Sequence, residues 1–226
     1  MKISIIGCGN MGQAMARRLS QKNHLFFYDR HPEKAEVLAK EGFGEACNEI
    51  SHALHSSEII ILAVKPQNLK EIAPKIKESL KKEQVIVSLL AQTSLSTLSQ
   101  YFQAVPIIRM MPNLPIICGE GVIGLSSKEE NELIVNTFET LGKVYWIPEE
   151  KMDALTALTG SGPAFFFTMV EAMVDAGIAM GFSSKEAQGL VYQMLQGSLT
   201  LLKKTDKHPG ELRWNIASSQ GTTLAG

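Results

Sequence analysis

Lys2-Ile3-Ser4-Ile5-Ile6-Gly7-Cys8-Gly9-Asn10-Met11-Gly12 is the stretch that decides how this chain folds. An apolar β run passes directly into three glycines spaced G-x-G-x-x-G, and a helical pattern follows over 10–21. In that setting the first glycine permits a tight turn, the second lets a pyrophosphate come close, and the third lets helix pack on strand. The helix start then presents unpaired N–H groups and a positive dipole end to phosphate. Three glycines in six residues can also be a plain tight connection. The strand before them and the helix after them favour a dinucleotide site.

Working outward, apolar runs at 2–6, 24–29, 58–63, 84–89, 106–110, 121–126 and 143–147 read as strands. Helical patterns fall near 10–21, 32–41, 67–81, 94–102 and 128–141. Ile59-Ile60-Ile61-Leu62-Ala63-Val64 is apolar without alternation, as expected of a parallel strand covered on both faces. This alternation predicts an α/β domain with a doubly wound, mainly parallel sheet. Pro32 suits a first helical position, and Ser127/Glu130 and Ser183/Glu186 read as capping boxes.

After Pro148 the strand pattern ends. Glu149 to Lys204 reads as long apolar helices broken at Gly160-Ser161-Gly162-Pro163 and at Gly181-Phe182-Ser183. The boundary falls near 148–153, giving a dinucleotide-binding domain over 1–150 and an all-helical domain over 151–226. Helices apolar nearly all round, such as 164–180 with Phe165-Phe166-Phe167, are expected to be core or subunit interface. That segment reads as too short and, with Glu171 and Asp175, too charged to span a bilayer.

Hydrophobic content of 45% and charged content of 20% are ordinary for a globular protein, and a net charge of -1 argues against a nucleic-acid partner. Cys8, Cys47 and Cys118 fit no metal or disulfide pattern, which points to a reducing, cytoplasmic setting. The N-terminus shows no secretion signal.

Further candidates sit at strand ends, where ligands of open α/β sheets bind. Asp29 follows the second strand and could accept from an unmodified ribose, whereas the adjacent Arg30 could pair with a 2′-phosphate; the balance is slightly toward NADPH over NADH. Ala63-Val64-Lys65-Pro66 ends another strand, with Lys65 either a surface or a ligand-facing lysine. Asn113, in Arg109-Met110-Met111-Pro112-Asn113, could bond a carboxamide or ribose, or close an Asx turn. His31, His52 and His55 read as surface residues and His208 as structural. Metal ligation is not expected.

With these residues assembled, the chain resembles the pyrroline-5-carboxylate reductases over essentially its whole length. The resemblance is carried by Gly7 to Gly12, Ala63-Val64-Lys65-Pro66, Met111-Pro112-Asn113, Gly160-Ser161-Gly162-Pro163-Ala164 with Glu171-Ala172 and Asp175-Ala176, and Ser218 to Thr223. It implies a Rossmann-type N-terminal domain, a C-terminal helical dimerisation and substrate-binding domain, and a homodimer or larger oligomer. It implies reduction of the C=N bond of 1-pyrroline-5-carboxylate to L-proline with NADPH or NADH. By the same resemblance Ser218, Gly221, Thr222 and Thr223 hold the substrate carboxylate, and the Thr223 hydroxyl lies near the ring nitrogen.

Some positions depart from the family pattern. Leu90-Ala91-Gln92 stands for Ala-Ala-Gly, Leu114 for a threonine, Ser219-Gln220 for Pro-Gly, and Trp214 for an acidic residue. The sequence ends at Gly226, where the family continues into a further helix. These departures motivate a second reading, a catalytically weakened relative that binds dinucleotide as sensor or scaffold. A β-hydroxyacid dehydrogenase would need a lysine after the domain boundary, and 154–180 holds none.

Overall fold

A computed structural model describes residues 1–217. The chain divides into two compact units, Met1–Pro163 and a second beginning at Ala164.

The first unit is an eight-stranded sheet: β1 (Lys2–Ile6), β2 (His24–Tyr28), β3 (Glu45–Ala46), β4 (Ile59–Leu62), β5 (Val85–Ser88), β6 (Ile107–Pro112), β7 (Gly121–Ser126) and β8 (Gly142–Trp146). Their spatial order is β3-β2-β1-β4-β5-β6-β7-β8. All neighbours are parallel except β6 and β7, which run antiparallel with Pro112 opposite Ile123. The chain winds outward from β1 to β3, then returns to β1's other side at β4, so the topological switch point lies between β1 and β4.

The seven strands expected from sequence are present: 2–6 and 121–126 keep their expected bounds, and the other five shift by one or two residues at an end. Period-two geometry explains why β4 is apolar throughout. Ile59 and Ile61 join Ile5, Phe27, Val87 and Leu125 in one core layer. Ile60 and Leu62 join Ile6, Ile86, Leu98 and Phe102 in the other. Helices α1 (Asn10–Leu19), α2 (Pro32–Lys40) and α6 (Glu132–Phe138) supply the first layer through Met15, Leu38 and Phe138. Helices α3 (Ile50–His55), α4 (Leu69–Ser79) and α5 (Leu95–Tyr101) supply the second through Leu54, Ile76 and Leu98. Each fully buried side chain of this size contributes roughly 1.5–3 kcal/mol relative to exposure.

Two short elements escape a periodicity reading: the two-residue β3 and the six-residue α3. The box expected at Ser127 does not form. Its hydroxyl donates instead to the Glu129 carbonyl, and α6 starts at Glu132 because Asn131 Oδ1 accepts from the N–H groups of Leu133 and Ile134 at 3.0 and 3.3 Å. The second box is present at α9 (Ser184–Thr205), where Ser183 and Glu186 bond reciprocally and hold the Glu186 carboxyl below its usual range.

A helical run starts at Glu149, passes through α7 (Met152–Leu155) and a π turn (Thr156–Gly160), and continues as α8 (Gly162–Ala179). Its start is anchored to the sheet. Glu149 Oε1 accepts from Arg109 Nη1 at 2.8 Å and from the Leu95 N–H at 2.6 Å.

The second unit contains most of α8, with α9 (Ser184–Thr205) and α10 (Pro209–Ile216). Gly181, at φ +101°, turns the chain between α8 and α9. Gly177 allows a close crossing, since a Cβ there would sit 3.0 Å from that of Ala187. Of the two expectations for the 164–180 helix, core within one chain is not met, since Val174 is its one buried side chain and Phe165 is 73% exposed; the subunit-interface expectation stands. A helix and its hairpin neighbour can cover only one stripe of a surface that is apolar nearly all round. The estimate that this segment is too short to span a bilayer also changes. The run from Glu149 to Ala179 is 31 residues, long and apolar enough by length and composition to cross a membrane.

Glu149→Ala should destabilise the first unit by about 2–3 kcal/mol in urea unfolding. It strands a nearly buried guanidinium; the figure sits below that for a fully buried pair because the Glu149 side chain is 32% exposed. A loss under 0.5 kcal/mol would show that water replaces the carboxylate at little cost.

Candidate functional site

The loop between β1 and α1 is built by its glycines, each for a different reason. Gly7 lies at φ +108°, and a Cβ there would come within 2.7 Å of the Ala63 carbonyl carbon and oxygen. The chain can turn here only without a side chain. A Cβ at Gly12 would sit 2.1 Å from the Gly7 oxygen, so that position brings helix and strand together. Gly9 is the opposite case: a Cβ would meet nothing within 4 Å. The space beside it is open, at the N-terminus of a ten-residue helix with no acidic residue in its first turn and Arg17 and Arg18 in its last. The positive end of the helix dipole is therefore left for an anion, and the cradle fits a diphosphate.

Asp29 ties this loop to β2. Its Oδ2 accepts from the Cys8 N–H at 2.7 Å and its Oδ1 from the His31 N–H at 2.9 Å. Gly7 N–H donates to the Tyr28 carbonyl at 2.8 Å. Cys8 is fully buried in this turn. Burial, reinforced by the nearby Asp29 carboxylate, pushes its thiol up to about 12, so it packs as a small apolar group.

Beyond the loop lies a cleft of about 160 Å³. Seven of the sequence-derived candidates line it: Gly7, Gly9, Asp29, Arg30, Ala63, Val64 and Lys65. Asn10, Met11 and Gly12 form the first turn of α1, and Pro66 opens the 3-10 turn after Lys65; none of these four is part of the lining. Sequence reasoning missed Tyr28, His31 and Lys34, and one whole wall from the start of α4: Asn68, Glu71, Ile72 and Lys75. Their spacing of three, four and seven is a single helical face, and that was the available signal. Arg30, Lys34, Lys65 and Lys75 outnumber the carboxylates of Asp29 and Glu71, so the lining favours a polyanion.

Asn113 does not line this cleft. Its Oδ1 accepts from the Val122 N–H at 2.8 Å and its Nδ2 donates to the Thr159 carbonyl at 2.9 Å. The side chain is committed to two main-chain groups, and the residue is 7% exposed. In this position it ties the Val122 and Thr159 main-chain groups together. His208 caps α10, its Nδ1 accepting from the Gly210 N–H at 3.1 Å. Ser218, Gly221, Thr222 and Thr223 lie outside the described residues.

Residues 149–226 match the model for pyrroline-5-carboxylate reductase dimerisation. Residues 2–92 match that for NADP oxidoreductase, coenzyme F420-dependent. A pyrroline-5-carboxylate reductase of Aquifex aeolicus is 32% identical over 235 residues, covering 100% of this chain and 87% of the relative. One from Arabidopsis thaliana is 32% identical, covering 100% and 85%. This chain belongs to the pyrroline-5-carboxylate reductase family. Its fold agrees: the Plasmodium falciparum pyrroline carboxylate reductase with NADP bound superposes with a TM-score of 0.88 at 28% identity, covering 100% of this chain and 87% of that one. The Streptococcus pyogenes enzyme also gives 0.88 at 28%, covering 100% and 88%.

Within this reductase family pattern, Gln92 stands out. It takes φ +54° in the turn after β5, where the family writes glycine, and its side chain is exposed. A side chain in the left-handed region costs roughly 1–2 kcal/mol, against roughly 0.4–1 kcal/mol of extra unfolded-state entropy for glycine. Gln92→Gly should therefore raise stability by about 0.5–1 kcal/mol, read as a higher urea midpoint at unchanged slope. A lower midpoint would show that the Gln92 side chain makes a compensating contact.

Proposed function

We propose that this chain reduces the C=N bond of 1-pyrroline-5-carboxylate to give L-proline, with NADPH or NADH as reductant. The observation that carries this reading is whole-length kinship to reductases of that name on a chain that also builds the open glycine cradle at Gly9. The cradle alone fits many dinucleotide enzymes; the kinship selects among them.

In this reading, Gly7, Gly9 and the N–H groups at the start of α1 hold the diphosphate. Asp29 and Arg30, with Lys34, take the adenosine ribose, and the excess of cations there supports NADPH. Ala63, Val64 and Lys65 line the path toward the reducing end. When bound, the nicotinamide supplies a hydride. The residues assigned to substrate are Ser218, Gly221, Thr222 and Thr223, on the strength of the motif alone. They bind the carboxylate, and the Thr223 hydroxyl lies near the imine nitrogen. If the imine arrives protonated, hydride addition to carbon gives the neutral amine without a strong acid from the protein. Catalysis is then mainly positioning and electrostatics. Among the described residues no group of three His, Cys, Asp or Glu side chains is placed to hold a metal ion.

The 1–150 segment serves as the cofactor domain and 151–226 as the substrate and oligomerisation domain. The exposed apolar surface of α8 and α9 supports a homodimer or larger assembly over a membrane or nucleic-acid partner, and three free thiols support a cytoplasmic site.

Steady-state assays with 1-pyrroline-5-carboxylate and each nucleotide test the activity; oxidation of neither nucleotide overturns it. Thr223→Ala should cut kcat about 10²-fold and leave nucleotide Kd within about twofold, since a hydroxyl acting in the reaction is worth that much. Equal loss of both would move the substrate pocket elsewhere. Sedimentation at micromolar concentration should show at least a dimer, and a stable monomer would contradict the assembly.

A further inference from the structure

A helical carbonyl normally accepts from the N–H four residues on. For Thr159 that residue is Pro163, which has none. The chain is helical on both sides of this gap, and the turn between widens, with the Ser161 N–H donating to the Thr156 carbonyl at 3.0 Å. The Thr159 carbonyl is therefore left over by the sequence itself. Asn113 Nδ2 takes the place of the missing N–H at 2.9 Å. The other end of the same amide holds Val122, one step past the last β6–β7 pair. The amide orientation is forced, because Val122 can only donate and the Thr159 carbonyl can only accept.

This clamp stands at a particular place on the sheet. The cofactor cleft runs across the carboxyl ends of β2, β1 and β4, with Asp29 and Arg30 at its β2 end. β5 and β6 continue that row in the same direction, and Asn113 leaves the carboxyl end of β6. The π turn Thr156–Gly160 is thus pinned at the end of the row opposite the ribose-recognising residues, the side left for the reducing end of a dinucleotide. We infer that Asn113 is a positioning residue for the reduction. It acts through Thr159, holding the π turn in place over β6, and does not touch the cofactor. This rests on the reductase reading given above.

Two variants of the full chain separate the possibilities. Asn113→Leu loses both bonds; Asn113→Asp keeps an acceptor for Val122 and loses the donor to Thr159, so it remains informative if the leucine variant fails to fold. Both should lower kcat about tenfold or more, as misplacement of a supporting element does, with nucleotide Kd within about twofold. Amide exchange over 156–162 should rise in both, whereas the Val122 amide should exchange faster in the leucine variant alone. Parallel loss of nucleotide affinity would make Asn113 a direct ligand. A lower Tm with unchanged kcat would make it a fold clamp with no part in the reaction. Either result overturns the inference. Absence of turnover in the unmodified chain would instead overturn the reductase reading, and the exchange measurement would still report on the clamp.

Discussion

The close approach of the Gly7 backbone to Ala63 and Val64 is the constraint from which the first unit follows. β1 and β4 lie side by side at the switch point, and their two outgoing loops must diverge there to leave a crevice. With 2.7 Å between a notional Cβ and the Ala63 carbonyl, any side chain at position 7 would push those loops apart. The φ of +108° makes the same demand independently. Steric closeness and backbone conformation converge on one residue, so the turn, the start of α1 and the cleft mouth share a single origin.

Asp29 shows how the site and the fold use the same atoms. Its two oxygens secure the Cys8 and His31 N–H groups, fixing the glycine loop against the end of β2. A group read from sequence as a ribose acceptor is thus also a structural clasp. Substituting it would disturb the loop geometry along with any nucleotide preference, so Arg30 and Lys34, which reach the cleft without such bonds to the loop, are the cleaner positions for questions of specificity.

The parts of this molecule legible in the sequence are those governed by short-range periodicity. The buried strand at Ile59–Leu62 announced itself by lacking alternation, and the glycine spacing located the cradle. Ser183 and Glu186 specified their own cap within four residues. What stayed hidden depends on partners far along the chain. Asn113 finds Thr159 across 46 residues because a proline four positions beyond Thr159 removed the local donor. Asn131 displaced Ser127 as a helix start because two N–H groups lay in its reach and the serine turned to Glu129. The α4 wall of the cleft was visible as a helical face, but only the sheet order says that this face borders the glycine loop.

The second unit raises a different question, since its helices do little to bury one another. Phe165, Met180, Leu190, Tyr192 and Leu199 all remain exposed, while Val174 and Ala187 are its buried apolar residues among those described. A segment of this size gains too little from internal burial to offset the entropy of ordering its chain, and small units of this kind need an external supply of apolar contact. At roughly 25 cal/mol per Å² of apolar surface covered, side chains of this size would add several kcal/mol if enclosed. A membrane could in principle enclose α8, but Glu171 and Asp175 lie within it and the apolar side chains of α9 share the hairpin with Lys203 and Lys204 at its end. A second copy presenting the same surface satisfies both helices at once. It also agrees with the dimerisation model matched over 149–226. The apolar excess that looked like core in the sequence is then core after all, completed between two chains and not within one.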